Sequence, residues 1–312
     1  MKRRILFMGT PQFAVPVLQH LLDAGYSVIA VCTRPDKPAG RNKHIQWSPV
    51  RRLAVEQGLP VIQPEDLKAP QALREIGDFN PEIIITAAFG RILPPEILKL
   101  PALGCLNVHP SLLPRHRGPS PVASAILQGD TITGATIMLM DQGVDSGPIL
   151  ARRERNISRE ETTGPLTTEL AELGAALLVE TLSAWLHGKI QPTPQEENQA
   201  TYSQMVTKKD GLLDFRLPAE DLWRQVRAYH PWPGVYTWWR GKRLIVHRSL
   251  PLNEETRGAT GEVIATPGPC AAGVITQSGI LTLCQVQLEG RRLMSAADFL
   301  RGQKAFIGSH LS

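Results

Sequence analysis

The segment Asn107-Val108-His109-Pro110-Ser111-Leu112-Leu113-Pro114-Arg115-His116-Arg117-Gly118 sets an amide and an imidazole two positions apart, just after the apolar run Gly104-Cys105-Leu106. In an extended strand, residues two apart project to the same side. An amide donor beside a titratable base can polarise a carbonyl and move a proton. A carboxylate next to the imidazole would orient it. Two candidates, Asp141 and Asp145, lie in the run Asp141-Gln142-Gly143-Val144-Asp145-Ser146-Gly147. Gly143 and Gly147 give Asp145 flexible neighbours, but spacing alone does not choose between the two acids. Ser111 lacks the Gly-x-Ser-x-Gly setting of a hydrolase nucleophile. It is expected to cap the loop or to bind a ligand through its backbone. With no protein nucleophile in view, the pattern points to group transfer between two bound molecules, driven largely by positioning.

A sheet must hold these groups. Residues 4–8, 27–33, 59–62, 82–87, 104–108 and 135–140 read as strands. Helical spacing at Phe13, Val17, Leu18, Leu21 and Leu22 predicts a helix ended by Gly25. Further helices are expected over 49–57 and 163–187. Strands alternating with helices predict an α/β domain with a Rossmann-like, open, mostly parallel sheet covered on both faces. Ligands of such sheets collect outside the carboxyl ends of the strands. There the second strand runs into Arg34, the fourth into residues 88–91, the fifth ends at Asn107 and His109, and the sixth runs into 141–147. The first turn, Gly9-Thr10-Pro11-Gln12-Phe13, lacks the three-glycine dinucleotide spacing, which argues against NAD or FAD.

The 312 residues suffice for two domains, and 42% apolar with 20% charged residues is a soluble globular composition. No run of eighteen apolar residues predicts a membrane span. The apolar run after the basic start, residues 5–8, is too short for a signal peptide. Cys32, Cys105, Cys270 and Cys284 show no paired metal or redox spacing, so buried reduced thiols, a reducing cytoplasm and no zinc site are expected. Residues 1–207 are charge-balanced, and the whole excess of +5 falls in 208–312, which suits an anionic partner. The expected organisation is a catalytic domain over 1–189, a polar, Pro-containing linker over 190–207 and a C-terminal domain over 208–312. Short strands at 235–239, 244–248, 261–265, 273–276 and 280–285 predict a small, OB-like β-barrel for the last.

The connection 34–47 is longer than an ordinary strand–helix loop and carries Arg34, Lys37, Arg41 and Lys43 against one acid, Asp36. With Trp47, it suits a phosphate-bearing substrate. Trp232, Trp238 and Trp239 lie near Arg240, Lys242 and Arg243 and offer a nucleic-acid face. Of the three, Trp232 is expected in the core.

Asn107-x-His109, Ser111-Leu112-Leu113-Pro114 with Arg117-Gly118, and Asp145 within Met140-Asp141-x-Gly143-x-Asp145-x-Gly147 together resemble the 10-formyltetrahydrofolate-dependent formyltransferases. The likeness spans essentially the whole chain. It implies that Asn107, His109 and Asp145 are the catalytic set and that Ser111, Leu112, Leu113 and Pro114 contact the folate. Phe89, Gly90, Arg91, Ile92 and Leu93, with Met140, Asp141 and Val144, would line the pterin site. The start Gly9-Thr10-Pro11-x-Phe13-Ala14, the loop Asp36-Lys37-Pro38-Ala39-Gly40-Arg41 and the basic C-terminal domain with Pro231-Trp232-Pro233 are similar to the branch that acts on methionyl-initiator tRNA.

That branch implies a tRNA surface of Arg34, Lys37, Arg41 and Lys43, with Arg41 in the key basic position, joined by Lys208, Lys209, Arg240, Lys242 and Arg243. It requires no metal, and a cytoplasmic monomer is expected. Pro110 departs from the small residue often found after the catalytic His, without breaking the motif. The rival acceptors are a glycinamide nucleotide, an amino sugar and water. A non-catalytic RNA-binding role is opposed by the intact Asn-His-Asp set.

Overall fold

The computed structural model describes residues 3–39, 44–254, 257–268 and 270–312. Two compact units emerge, one of Met1–Pro121, Ile132–Asn156 and Thr167–Ser203, the other of Val122–Thr131, Ile157–Leu166 and Gln204–Ser312. Residues 190–203, expected as linker, therefore belong to the first unit. No helix among the described residues is long and apolar enough to cross a membrane.

The chain runs β1 (Arg4–Gly9), α1 (Ala14–Asp23), β2 (Ser27–Cys32), β3 (Lys37–Ala39), β4 (His44–Gln46), α2 (Pro49–Glu56), β5 (Val61–Ile62), α3 (Pro70–Asp78), β6 (Ile83–Ala87), α4 (Pro95–Leu98), β7 (Cys105–His109), α5 (Pro121–Leu127), β8 (Ile132–Leu139), β9 (Ile149–Asn156) and α6 (Thr163–Leu186). Seven strands form one sheet in the order β5-β2-β1-β6-β7-β8-β9. The first five are mutually parallel, whereas β8 and β9 are antiparallel to their neighbours. Central strands β1, after Arg4, and β6 are almost wholly apolar and buried on both faces, as a parallel core demands. Ser48 caps α2 by accepting from Arg51 N at 3.1 Å, with Pro49 opening the helix.

Three features differ from expectation. Strand β8 runs opposite to β7, so residues 141–147 do not leave the sheet at the carboxyl edge shared by β6 and β7. The long basic connection contains a hairpin, β3 paired with β4. Elements α3 and β9 carried no expectation. Strand β9 alternates exposed Arg152 and Glu154 with half-buried Arg153 and Arg155 along a sheet edge, where charge discourages pairing with another chain.

In the second unit, α7 (Ala219–Ala228) precedes β10 (Val235–Trp239), β11 (Lys242–Leu252), β12 (Val263–Ala265), β13 (Ala272–Ile275), β14 (Ile280–Leu288), β15 (Met294–Ser295) and α8 (Ala296–Gly302). These strands form an antiparallel sheet in the order β10-β11-β14-β13-β12, with β15 on β14. The C-terminal residues bond to both edges. Trp238 N donates to Ser312 O at 2.9 Å on β10, and Leu311 N donates to Gly261 O at 2.9 Å beside β12. This tail bridges the open edges and makes the sheet barrel-like. Trp239, Phe299 and Phe306 pack edge to face inside, with ring centroids 5.0–5.7 Å apart.

Trp232 is 56% exposed, which corrects the core expectation for it, while Trp239 is buried and Trp238 exposed. Trp232 sits in the turn Pro231-Trp232-Pro233, outside any strand that could turn it inward. Cys32 and Cys105 are free and buried, as expected. Cys270 and Cys284 instead form a disulfide, because antiparallel β13 and β14 bring these distant positions side by side. A reducing compartment does not follow from that pair.

Candidate active site

Strand β7 carries the central pair. Cys105, Leu106 and Val108 anchor it in the sheet, and Asn107 and His109 share one face. Thr86 lies opposite Asn107 on β6 and donates its hydroxyl to Asn107 Oδ1 at 2.8 Å. With its oxygen engaged, the amide offers its Nδ2 donors to a ligand.

His109 is buried at the strand end. Its Nε2 lies 3.1 Å from His116 O. A carbonyl only accepts, so Nε2 carries the hydrogen and donates. Nδ1 is then the nitrogen free to gain or lose a proton. It lies 3.6 Å from Asp145 Oδ2, an ion-pair separation longer than a hydrogen bond.

Asp145 reaches this position through its backbone. Its φ of +49° is left-handed, a conformation Asp tolerates better than most residues. Gly118 N donates to Asp145 Oδ2 at 2.7 Å. Gly118 itself has φ +104°, and a Cβ there would lie 3.0 Å from Ser203 O. Asp141, the other candidate base partner, is turned to its own loop: its Oδ1 accepts from Gly143 N at 3.0 Å and from Ser146 Oγ at 2.9 Å. The structure thus brings Asn107, His109 and Asp145 together, although β8 enters from the unexpected direction.

The remaining sequence candidates divide by environment. Ser111 is buried and spends its hydroxyl on Arg115 O at 2.7 Å. Its carbonyl accepts from Thr136 Oγ1 at 2.7 Å, and Arg152 Nη1 donates to Leu113 O at 3.0 Å. The 111–114 run is therefore a fixed loop, with Leu113 and Pro114 buried and Leu112 partly exposed. Phe89 and Leu93 belong to a core cluster with Leu6, Ile84 and Cys105, against which Met140 packs. Arg91 donates to Pro64 O at 2.7 Å and Glu65 O at 2.9 Å, so its guanidinium has a structural task. Gly90 is exposed at φ +76°, and Ile92, 80% exposed, and Val144 present apolar side chains to solvent.

Of the basic candidates, Arg34 is exposed, Lys37 begins β3, and Arg41 and Lys43 lie outside the described residues. Lys208 and Lys209 are exposed in a turn capped by Thr207 and Asp210. Arg240, Lys242 and Arg243 surround the β10–β11 hairpin, whose two-residue turn, Arg240-Gly241, has both φ values positive. Trp238 pairs across the ladder with Arg243, whose guanidinium lies 5.8 Å from the Tyr236 ring centroid.

Thr86, Arg117 and Gln195 emerge only in the structure. Arg117 lies within the motif, but its sequence position assigns it no task, and Gln195 lies in a polar run where a single sequence marks no position above another. Among the described residues, no three His, Cys, Asp or Glu side chains converge as a metal-binding group.

With this geometry in place, similarity to known proteins becomes informative. The formyl transferase family model matches residues 1–182, and the formyl transferase C-terminal domain model matches 205–304. The chain is 45% identical over 302 residues to the methionyl-tRNA formyltransferase of Chloroflexus aggregans, covering 97% of this chain and 98% of that one. It is likewise 45% identical to that of Myxococcus xanthus, covering 98% and 97%. Among solved structures, HypX from Aquifex aeolicus in complex with tetrahydrofolic acid matches with a TM-score of 0.60 at 21% identity, over 97% of this chain and 47% of HypX. The chain thus spans about half the length of HypX. WlaRD, a sugar 3N-formyl transferase, matches with a TM-score of 0.67 at 16% identity, covering 94% of this chain and 100% of that one. At these identities the structural matches speak for the fold, whereas the full-length relatives speak for the family. The chain belongs to the methionyl-tRNA formyltransferase family.

Proposed function

We propose that the chain transfers the formyl group of 10-formyltetrahydrofolate to the α-amine of methionyl-initiator tRNA through Asn107, His109 and Asp145. The observation that carries this reading is the convergence of His109 Nδ1 and Asp145 Oδ2 at 3.6 Å beside an Asn107 amide whose oxygen is already engaged. The amine nitrogen attacks the formyl carbon, and the carbonyl oxygen becomes an oxyanion. Asn107 Nδ2 donates to that oxyanion, an effect of about 10²–10³ in rate for one donor. His109 Nδ1 accepts the proton lost by the attacking amine. Asp145 stabilises the resulting imidazolium while Nε2 stays bonded to His116 O. The C–N10 bond then breaks, and the proton passes to the leaving N10, giving N-formylmethionyl-tRNA and tetrahydrofolate. No protein nucleophile enters this balance.

The folate is assigned to the first unit, where the exposed apolar side chains of Ile92 and Val144 suit a flat ring. Gly90, with Phe89, Arg91, Leu93, Ser111, Leu112, Leu113, Pro114, Met140 and Asp141, is assigned to the same folate. The tRNA is assigned to Arg34, Lys37, Arg41 and Lys43 on the first unit. On the second, it is assigned to Lys208, Lys209, Arg240, Lys242 and Arg243, within a tRNA-binding domain over 208–312. With that acceptor, a cytoplasmic location beside the translation machinery and a monomer are proposed.

The test follows the label. Formyl-labelled 10-formyltetrahydrofolate is incubated with the chain and with charged initiator tRNA, a glycinamide nucleotide or an amino-sugar nucleotide. Label on the aminoacyl group supports the reading. Label appearing only as formate, or only on another amine, overturns it.

A further inference from the structure

The segment that follows α6 reaches into the machinery of the first unit. Gln195 Nε2 donates to Asp145 O at 2.8 Å and to Gly147 O at 2.7 Å. Its Oε1 accepts from Arg117 Nε at 3.1 Å and Arg117 Nη2 at 2.9 Å. Both donors and both lone pairs of the amide are therefore used. Arg117 spends its other three hydrogens on Glu197 Oε2 at 2.9 Å, Glu197 Oε1 at 2.8 Å and Tyr202 Oη at 3.1 Å. Its side chain is only 1% exposed. A buried guanidinium with every donor committed is a rigid fork. The Glu197 hydrogen bond, outweighing burial and seconded by Tyr202, holds this guanidinium above its ordinary value, and the same bond holds the Glu197 carboxyl below its own.

We infer that Gln195, locked by Arg117, is a positioning residue that sets the Asp145 carboxylate against His109 for the transfer; this rests on the functional reading given above. The two carbonyls it grips flank Ser146, in the loop where Asp145 takes its left-handed φ of +49°. Such a conformation persists only where the surroundings impose it. Gly118, the residue after Arg117, donates its N–H to Asp145 Oδ2. Backbone and carboxylate of Asp145 thus refer to one anchor, Arg117-Gly118. Gln195 carries the reference to the backbone, and Gly118 carries it to the carboxylate.

Gln195→Glu separates this role from simple attachment of the segment. One carboxylate oxygen still meets Arg117, while the other now faces two carbonyl oxygens and repels the Asp145 loop. The enzyme is assayed as the full chain with 10-formyltetrahydrofolate and methionyl-tRNA. Expected is a fall in kcat of about 10²-fold, the scale of a small misplacement of a catalytic group, with KM for both substrates within about threefold. The discriminating readout is a double-mutant cycle. On an Asp145→Asn background, Gln195→Glu should cost less than about twofold more, because residues acting through one another are not additive. Gln195→Met, which keeps the length without the donors, carries the same cycle if the Glu variant folds poorly. A Gln195→Glu enzyme with kcat within about threefold of the unmodified chain, or penalties that multiply in the double variant, overturns the inference. An unmodified chain that forms no formylmethionyl-tRNA overturns the functional reading, and the inference with it. An active unmodified chain matched by its variant overturns the positioning role alone.

Discussion

Replacing Asp145 by Asn removes one charge and little else. Asn accepts a hydrogen bond through its carbonyl oxygen, so the Gly118 N–H keeps a partner, and Asn adopts the left-handed φ of +49° as readily as Asp. What is lost is attraction between the carboxylate and the imidazolium that forms when His109 Nδ1 takes the amine proton. At the 3.6 Å separation, unit charges attract by about 4–5 kcal/mol in an effective dielectric of ~20. The Asp145 side chain is partly open to solvent, and screening reduces this to about 2–4 kcal/mol. The expected loss in kcat is therefore about 30- to 1000-fold. KM for the folate should stay within about threefold, because the charge interacts with a group that is cationic only during transfer. Steady-state formylation of methionyl-tRNA, with folate binding measured separately, reads both quantities. A variant that keeps kcat within threefold would refute the pairing as the source of proton-transfer stabilisation.

Other perturbations follow from the same geometry. Gly118→Ala forces an L side chain to φ +104° with its Cβ 3.0 Å from Ser203 O; kcat should fall about tenfold or more and Tm by a few degrees, a cost of about 1–3 kcal/mol, and unchanged values would deny Gly118 its anchoring task. In the second unit, His230 is held below its ordinary value, first by burial and then by His247. The unfolded chain therefore takes up this proton first, so stability to urea should fall as pH drops from about 7 to 5, and His230→Gln should flatten that slope; a wild-type slope in the variant would show that His230 does not contribute. Arg243→Ala should weaken tRNA binding, lower the slope of log K against log salt by about one and leave folate affinity unchanged; an unaltered slope would remove Arg243 from the RNA surface.

Much of the sheet was legible because its strands are chemically plain. Ile83–Ile85 is β-branched and apolar and Thr86 is β-branched, a run that suits a buried central strand. Asn107 and His109 were legible because period-two geometry forces them to one face. The direction of β8 was not, since a strand's residues carry no sign of which way it runs beside its neighbour. Strand β9 hid for a related reason: Arg152, Arg153, Glu154 and Arg155 read as solvated surface, yet an edge strand tolerates such charges. The choice between Asp141 and Asp145 was settled by backbone, through the left-handed φ at Asp145 and the Gly118 donor. Those are properties of a loop packed against residues far away in sequence. Gln195 was invisible for the same reason, because its importance lies in four partners that only folding assembles.

In the proposed reaction His109 moves the proton and the nucleophile belongs to the tRNA. Single-turnover formyl transfer to methionyl-tRNA by His109→Ala, with folate already bound, tests it most directly. Expected are folate affinity close to that of the unmodified chain and transfer slower by about 10²–10⁴-fold. Transfer at the unmodified rate would contradict this role of His109.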